Sequence, residues 1–491
     1  MSKVTSNGQI IDPAFGKGEL VESNGLVYSC TLNQTDIDAN KNKFYIMQLL
    51  KTSSGWCLCI RYGRLGLAGV TSKDDHPSEA SGKQAFEKQF KLKTGNAWGT
   101  KNFVKKEGKY FMSDVSYEDE LKNIPKGPST IPDSKLSEPV QKLIRMLSDV
   151  NMMQNALVSL DIDTKKMPLG KIKQSQLDKA GELLDKMQPL IADLTAKKGN
   201  VDDLANQLVK MSSEYYTYLP MAFGRKKPPV INSDEMMQKY KDTINELKNM
   251  VITVQITENV KSGENPIDSI YNGMNTKINA LDRNSQMWKH IEDYVNNTHG
   301  STHAYKLEIL DIFEIEQNNK RQKYEEYCKN INNRTLLFHG SGMSNWVSIM
   351  KNDLLLNPHS VNKNVVITGK MFSDGLYFAN AITKSFGYAR SETSGGVGCL
   401  AIAEIALGNV SKRIQADYYI TKDTLKKSGH DSVQGIGKNT PESSVECNGL
   451  IIPNGKLVNS KASASLLYDE FIVYDSNQQF MKYLILVKNT R

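Results

Sequence analysis

Between residues 20 and 115 apolar and polar positions alternate in short runs, as in Phe44-Tyr45-Ile46-Met47-Gln48-Leu49-Leu50 and Trp56-Cys57-Leu58-Cys59-Ile60. Successive side chains of an extended strand face opposite sides, so this texture, broken by Gly-containing turns, predicts a small sheet. One helix is expected around Ala85 to Lys93, and residues 1–19 are expected to form a short N-terminal tail. Residues 116–136, polar and acidic with Pro125, Pro128 and Pro132, suit neither helix nor sheet and read as a linker. From residue 137 to about 260 the period becomes helical: Val140, Leu143, Ile144, Leu147 and Val150 share one face behind Ser137, and Leu177, Ala180, Leu184, Met187 and Ile191 repeat the pattern. Leu247, Met250 and Val251 do so again, which predicts an all-helical domain whose stripes, methionines included, serve core packing. Residues 284–491 return to apolar runs such as Cys399 to Leu407 and predict a mixed α/β domain, so the chain is expected to be multidomain α+β.

A length of 491 residues agrees with several cores, roughly two to four domains. No apolar run reaches the roughly 18 residues of a membrane span, and Met1-Ser2-Lys3-Val4 lacks the apolar core of a secretory signal, so an intracellular protein without a membrane partner is expected. The net charge of +8 permits a polyanionic partner without requiring one. Six scattered cysteines fit neither a zinc finger nor a disulfide framework, and no metal site is expected.

Three short stretches carry candidate chemistry. His339-Gly340-Ser341 follows the apolar Leu336-Leu337-Phe338; Tyr377 lies in Gly375-Leu376-Tyr377-Phe378-Ala379; Glu470 lies in Leu466-Leu467-Tyr468-Asp469-Glu470-Phe471. Taken singly, each has a bland reading: a core histidine, a packed aromatic, a strand-end surface charge. The G-x-G patterns at Gly340 and Gly435 do not continue into G-x-G-x-x-G with a following helix and acid, which argues against a Rossmann dehydrogenase. Together, in this order and with Gly369-Lys370-Met371-Phe372 and Tyr474-Asp475 beside them, the three stretches resemble the ADP-ribosyltransferase domain of the poly(ADP-ribose) polymerases.

That resemblance implies NAD as a consumed co-substrate, with no recycled cofactor and no metal. Breaking the nicotinamide–ribose bond produces an oxocarbenium-like sugar, which calls for a negative charge beside the ribose and a firm hold on the leaving group. By the resemblance Glu470 supplies the charge and activates the acceptor hydroxyl, with His339 and Tyr377 completing the catalytic set. Tyr377 and Tyr388 would sandwich the nicotinamide, Gly340 and Ser385 would hold its carboxamide, and His339, Ser341 and Asn345 would contact the adenosine side. Met371 stands where the family binds the acceptor chain. Asp353 and Leu355 depart from the Gly and Arg common in the loop over the adenosine.

Residues 20–115 similarly resemble a WGR domain through Arg61-Tyr62-Gly63-Arg64 and Gly95-Asn96-Ala97-Trp98, with Tyr62 in place of the motif's Trp. Residues 137–260 resemble the helical regulatory domain through Lys165 to Gly170 and Phe223 to Pro229. The architecture looks like the shorter DNA-dependent members, without zinc fingers. The resemblance implies nuclear residence, 5′-phosphorylated DNA breaks as partner, and Asn42, Lys43, Tyr62, Arg64 and Tyr110 as DNA contacts. It also implies acceptor proteins including the chain itself, an accessory factor completing the active site, and a helical domain that restrains the enzyme until DNA binds. Three alternatives stand beside polymer synthesis: mono-ADP-ribosyl transfer, NAD hydrolysis, and a DNA-end scaffold with an inactive catalytic domain.

Overall fold

The structure, a computed structural model, describes residues 11–113, 115–116, 132–149, 171–172, 174–258, 264–300, 305–354, 356 and 371–490. The chain divides into two compact units, residues 1–126 with 154–251 and residues 127–153 with 252–491.

In the first unit the alternating runs form the antiparallel strands Ser29–Asp36, Lys41–Thr52, Gly55–Arg64 and Val70–His76, with Phe111–Ser113 on the far side of Ser29–Asp36. The period of two sorts their side chains. Tyr45, Met47, Leu49 and Leu58 share a core with Phe86 and Phe90 of the helix Glu79–Thr94. That helix starts at a reciprocal Ser78–Ser81 capping box and ends at Gly95, whose φ of 73° is left-handed backbone that favours glycine. Phe44, Ile46, Leu50, Cys57 and Cys59 point the other way, into a second core with Leu177, Leu184, Met187, Ile191, Tyr215, Tyr216 and Tyr240. These belong to the helices Gln174–Thr195, Val201–Tyr218 and Asp234–Glu258. The sheet and the middle helices therefore share one core within this unit.

Two sequence expectations change here. Residues 11–19 are not a tail: Ile11 and Phe15 are buried in the second core, and the buried Asp12 carboxylate accepts from Arg61 at 2.5 and 3.1 Å. The linker is anchored at both described ends. Val115–Ser116 pairs with Lys171–Ile172, and the Lys135 amide donates to Asp268 at 2.9 Å; residues 117–131 and the quoted Lys165 to Gly170 lie outside the described residues.

Among the described residues the second unit holds three sheets. One runs, in order of pairing, Thr276–Ala280, Lys306–Gln317, Gln479–Thr490, Val397–Ala406, Arg334–Ser341, Leu450–Ile452, Val445–Cys447; a second runs Leu376–Phe378, Glu470–Val473, Ser432–Gly435, Val410–Arg413; a third runs Leu457–Asn459, Gly437–Pro441, Leu466–Tyr468. The helix Glu138–Leu147 lies in this unit. Val140, Leu143, Ile144 and Leu147 are buried in one cluster with Ile278, Phe313, Leu337 and Trp346. Each such side chain contributes about 1.5–3 kcal/mol relative to exposure, so this helix is part of the unit's main core. Among the described residues no helix is long and apolar enough to cross a membrane.

Candidate active site

Strand pairing brings the three stretches together. Phe338, next to His339 in the strand Arg334–Ser341, exchanges backbone hydrogen bonds with Ala379 at 2.8 and 2.9 Å. Ala379 directly follows the Tyr377 strand, which pairs antiparallel with the Glu470 strand, Tyr377 opposite Ile472 and Phe378 opposite Phe471. His339, Tyr377 and Glu470 thus sit on neighbouring backbones at the seam between the seven-stranded and the four-stranded sheet.

The His339 ring is half-buried, and its Nδ1 lies 2.9 Å from the Tyr377 carbonyl oxygen. A carbonyl only accepts, so Nδ1 carries the proton, and the neutral ring keeps Nε2 as an acceptor for a ligand hydroxyl. Burial lowers the His339 pKa below the ordinary histidine value, opposed by the Tyr377 carbonyl and the Asp353 charge. The Tyr377 hydroxyl accepts from the Phe372 amide at 3.0 Å and donates to the Ser373 carbonyl at 2.8 Å. Burial raises its pKa far above the ordinary phenol value, so it stays protonated and its ring is held by both ends. Glu470 is 8% exposed, and its Oε1 lies 2.5 Å from Lys384 Nζ, which leaves Oε2 to accept from a ligand hydroxyl. Neighbouring Asp469 is 1% exposed.

Gly340 has a structural reason to be glycine: a Cβ there would stand 1.8 Å from the Ser385 carbonyl oxygen. The Ser385 hydroxyl donates to the Phe338 carbonyl at 3.1 Å, so it keeps only its lone pairs for a carboxamide N–H. Tyr388 is 61% exposed, a ring face open to stacking. Ser341 Oγ accepts from Asn345 Nδ2 at 3.0 Å, and Asn345 Oδ1 is buried without a hydrogen-bond partner. Met371 packs, partly buried, against the Phe372 and Tyr474 cluster beside Tyr377.

Asp353, the departure noted above, has φ 68° and ψ 177°, a region nearly reserved for glycine and costing about 1–3 kcal/mol otherwise. Lys320 pairs with its carboxylate and Gln479 donates to it at 2.8 Å, so this chain holds the turn with side-chain contacts. Leu355 lies outside the described residues.

In the first unit Tyr62 is 44% exposed and stacks on Tyr45, ring centroids 5.8 Å apart and 26° between planes. Tyr110 tilts against the same ring at 5.8 Å, Lys93 Nζ lies 4.7 Å above it, and Lys43 is exposed. One expected DNA contact is corrected, and a second is engaged within the unit. Asn42 is fully buried and donates to the Met221 carbonyl at 3.0 Å. Arg64 donates to the carbonyls of Gly224, Lys226 and Asn40, so its guanidinium is used within the unit.

The WGR domain model matches residues 28–105, the poly(ADP-ribose) polymerase regulatory domain residues 134–271, and the poly(ADP-ribose) polymerase catalytic domain residues 285–489. Human poly [ADP-ribose] polymerase 2 is 31% identical over 494 residues, covering 96% of this chain and 81% of its own length. The chain belongs to the poly(ADP-ribose) polymerase family. Poly [ADP-ribose] polymerase 2 of Zea mays is 30% identical over 94% of this chain and 70% of its own, and poly [ADP-ribose] polymerase 1 of Danio rerio 34% identical over 99% of this chain. The chain spans 48% of that last protein, about half its length.

The site contains two groups that the sequence analysis missed. Lys384 stands directly before Ser385, and only the folded pairing of its helix with the Glu470 strand reveals it as the carboxylate's partner. Asp469 is the other. A pH dependence also follows from His339. Below the ordinary histidine value near 6.5 the unfolded chain takes up a proton more readily than the fold, so the stability this residue allows is retained above that value and lost as pH falls through it. Protonation at still lower pH removes the Nε2 acceptor. KM for NAD is expected to rise there while staying flat above neutrality; a KM that falls on acidification would contradict this role for Nε2.

Proposed function

We propose that this chain is a poly(ADP-ribose) polymerase that transfers ADP-ribose from NAD to protein side chains, its own and those of chromatin and DNA-repair proteins, and that broken DNA stimulates it. The observation that carries this reading is the convergence of His339, Tyr377 and the Lys384-paired Glu470 at one seam of paired strands. NAD enters as a substrate, and no metal takes part. As the bond from nicotinamide nitrogen to the ribose C1′ breaks, Glu470 stabilises the positive charge that develops on the sugar. It accepts from the ribose hydroxyl and draws the proton from the acceptor hydroxyl that attacks C1′. The Tyr377 ring, fixed through its hydroxyl, and the exposed Tyr388 suit the flat leaving group.

The exposed Tyr62 ring, backed by the buried Tyr45, and the Tyr110 ring with Lys43 and Lys93 suit a DNA end, through stacking and phosphate charge. The 5′-phosphate preference, an accessory protein at the acceptor side and nuclear residence belong to the same proposal. Incubating the pure chain with labelled NAD, with and without 5′-phosphorylated nicked DNA, tests it. A DNA-dependent high-mass smear on a denaturing gel is expected. A sharp band would mean mono-transfer, and an unlabelled protein in both arms would overturn the reading.

A further inference from the structure

We propose that Asp469 is a positioning residue for Glu470: its buried carboxylate ties together the four segments that fix the catalytic glutamate and the Lys384–Ser385 helix. This rests on the transferase reading above. Asp469 lies between the strands Leu466–Tyr468 and Glu470–Val473, which belong to different sheets, so the chain changes sheets at this residue. A strand that switches sheets leaves ladder partners unpaired, and the donors here converge on one side chain. Asp469 Oδ1 accepts from the Gly437 amide at 2.7 Å; Oδ2 accepts from Thr440 Oγ1 at 2.8 Å and from Asn380 Nδ2 and Gln434 Nε2 at 3.0 Å each. Among these donors none is charged. A buried carboxylate held by four neutral donors acts as a knot rather than as half of an ion pair.

Each donor belongs to a wall of the site. Asn380 follows Ala379, which is bonded to Phe338 beside His339, and precedes the helix Ile382–Phe386 that carries Lys384 and Ser385. Gln434 lies in the strand that pairs Gly435 with Glu470. Gly437 and Thr440 lie in the strand alongside Leu466–Tyr468, and a Cβ on Gly437 would stand 2.2 Å from the Tyr468 carbonyl carbon. Because a carboxylate only accepts, it also fixes which way the Asn380 and Gln434 amides face. Asn380 Oδ1 is buried with no partner, so the amide is held through its nitrogen. Asp469→Asn keeps the volume but turns an NH2 toward one set of these donors, which loosens Glu470 and the Lys384 helix together.

The test is the rate of label transfer against NAD concentration for wild type, Asp469→Asn and Thr440→Val, with melting temperatures and a crystal structure of Asp469→Asn. A displacement of about 1 Å costs on the order of 100-fold, so Asp469→Asn is expected to lower kcat by about that factor and to raise KM for NAD less, through the loosened Ser385. Thr440→Val, which removes one donor and keeps the carboxylate, is expected to lower kcat by up to about tenfold. A wild-type kcat in either variant overturns the proposal, as does a loss that only tracks the folded fraction. If Asp469→Asn does not fold, Thr440→Val decides. Absence of transfer by the wild type defeats the transferase reading alone. The positioning claim is then judged by the crystal structure, where Glu470 still seated against Lys384 overturns it and Glu470 displaced supports it.

Discussion

Replacing Glu470 with Gln is expected to lower ADP-ribosyl transfer by about 10²–10³-fold, the scale of losing one preorganised electrostatic group at a developing charge. The substitution keeps the side chain's shape, and its amide oxygen can still accept from Lys384, which now faces Glu470 Oε1 at 2.5 Å. What disappears is the negative charge beside the ribose and the base for the incoming hydroxyl. NAD affinity should therefore change little while kcat collapses. Equilibrium binding of NAD next to the transfer rate separates the two. A variant that transfers at the wild-type rate would remove Glu470 from the chemistry.

Gly340→Ala has the second largest expected effect, for a different reason. The new methyl would need to occupy a point 1.8 Å from the Ser385 carbonyl oxygen and 2.8 Å from the Ser385 carbonyl carbon, both backbone atoms with no rotamer to change. The helix Ile382–Phe386 must move away from the His339 strand, at about 1–3 kcal/mol for such overpacking. Lys384 and Ser385 move with it. Lower thermal stability, a raised KM for NAD and a reduced kcat are expected together, measured by melting and steady-state kinetics. Unchanged values for all three would mean that the close approach at Ser385 does not shape the site.

Gly340 also marks how far the sequence could be read. The His339-Gly340-Ser341 motif was legible, and so was its neighbourhood with Tyr377 and Glu470. The neighbour that demands glycine was not, because it is the backbone of a residue 45 positions on, named in advance only for its hydroxyl. The strand and helix periods marked the apolar faces correctly: Tyr45, Met47 and Leu49 lie in one core, Phe44 and Ile46 in another. The domain boundaries were less legible, since periodicity says that Val140, Leu143, Ile144 and Leu147 face something apolar but not what. They face the core of the catalytic unit, so a deletion that tests the regulatory helices should spare residues up to 153.

The polar residues were the hardest to assign. Asn42 and Arg64 look like surface groups in a basic strand pair, yet the acceptor of Asn42 lies 179 positions away at Met221, and Arg64 spends its donors on Gly224 and Lys226. Lys43 and Tyr62, beside them in sequence, remain exposed. Alternation separates Asn42 from Lys43, but Tyr62 and Arg64, two residues apart on one strand, share a face, and only the folded partner shows which of them is engaged. Asp469 escaped for the same reason: its four donors come from three other stretches of chain and carry no charge to advertise the site.

The central claim is that the seam of His339, Tyr377 and Glu470 moves ADP-ribose from NAD onto protein. Nicotinamide release and protein-bound label, measured together in one DNA-containing reaction, test this most directly. The account predicts that the two rise in near-equal molar amounts and fall together in Glu470→Gln. Nicotinamide released with free ADP-ribose and no labelled protein would contradict it and make the site an NAD hydrolase.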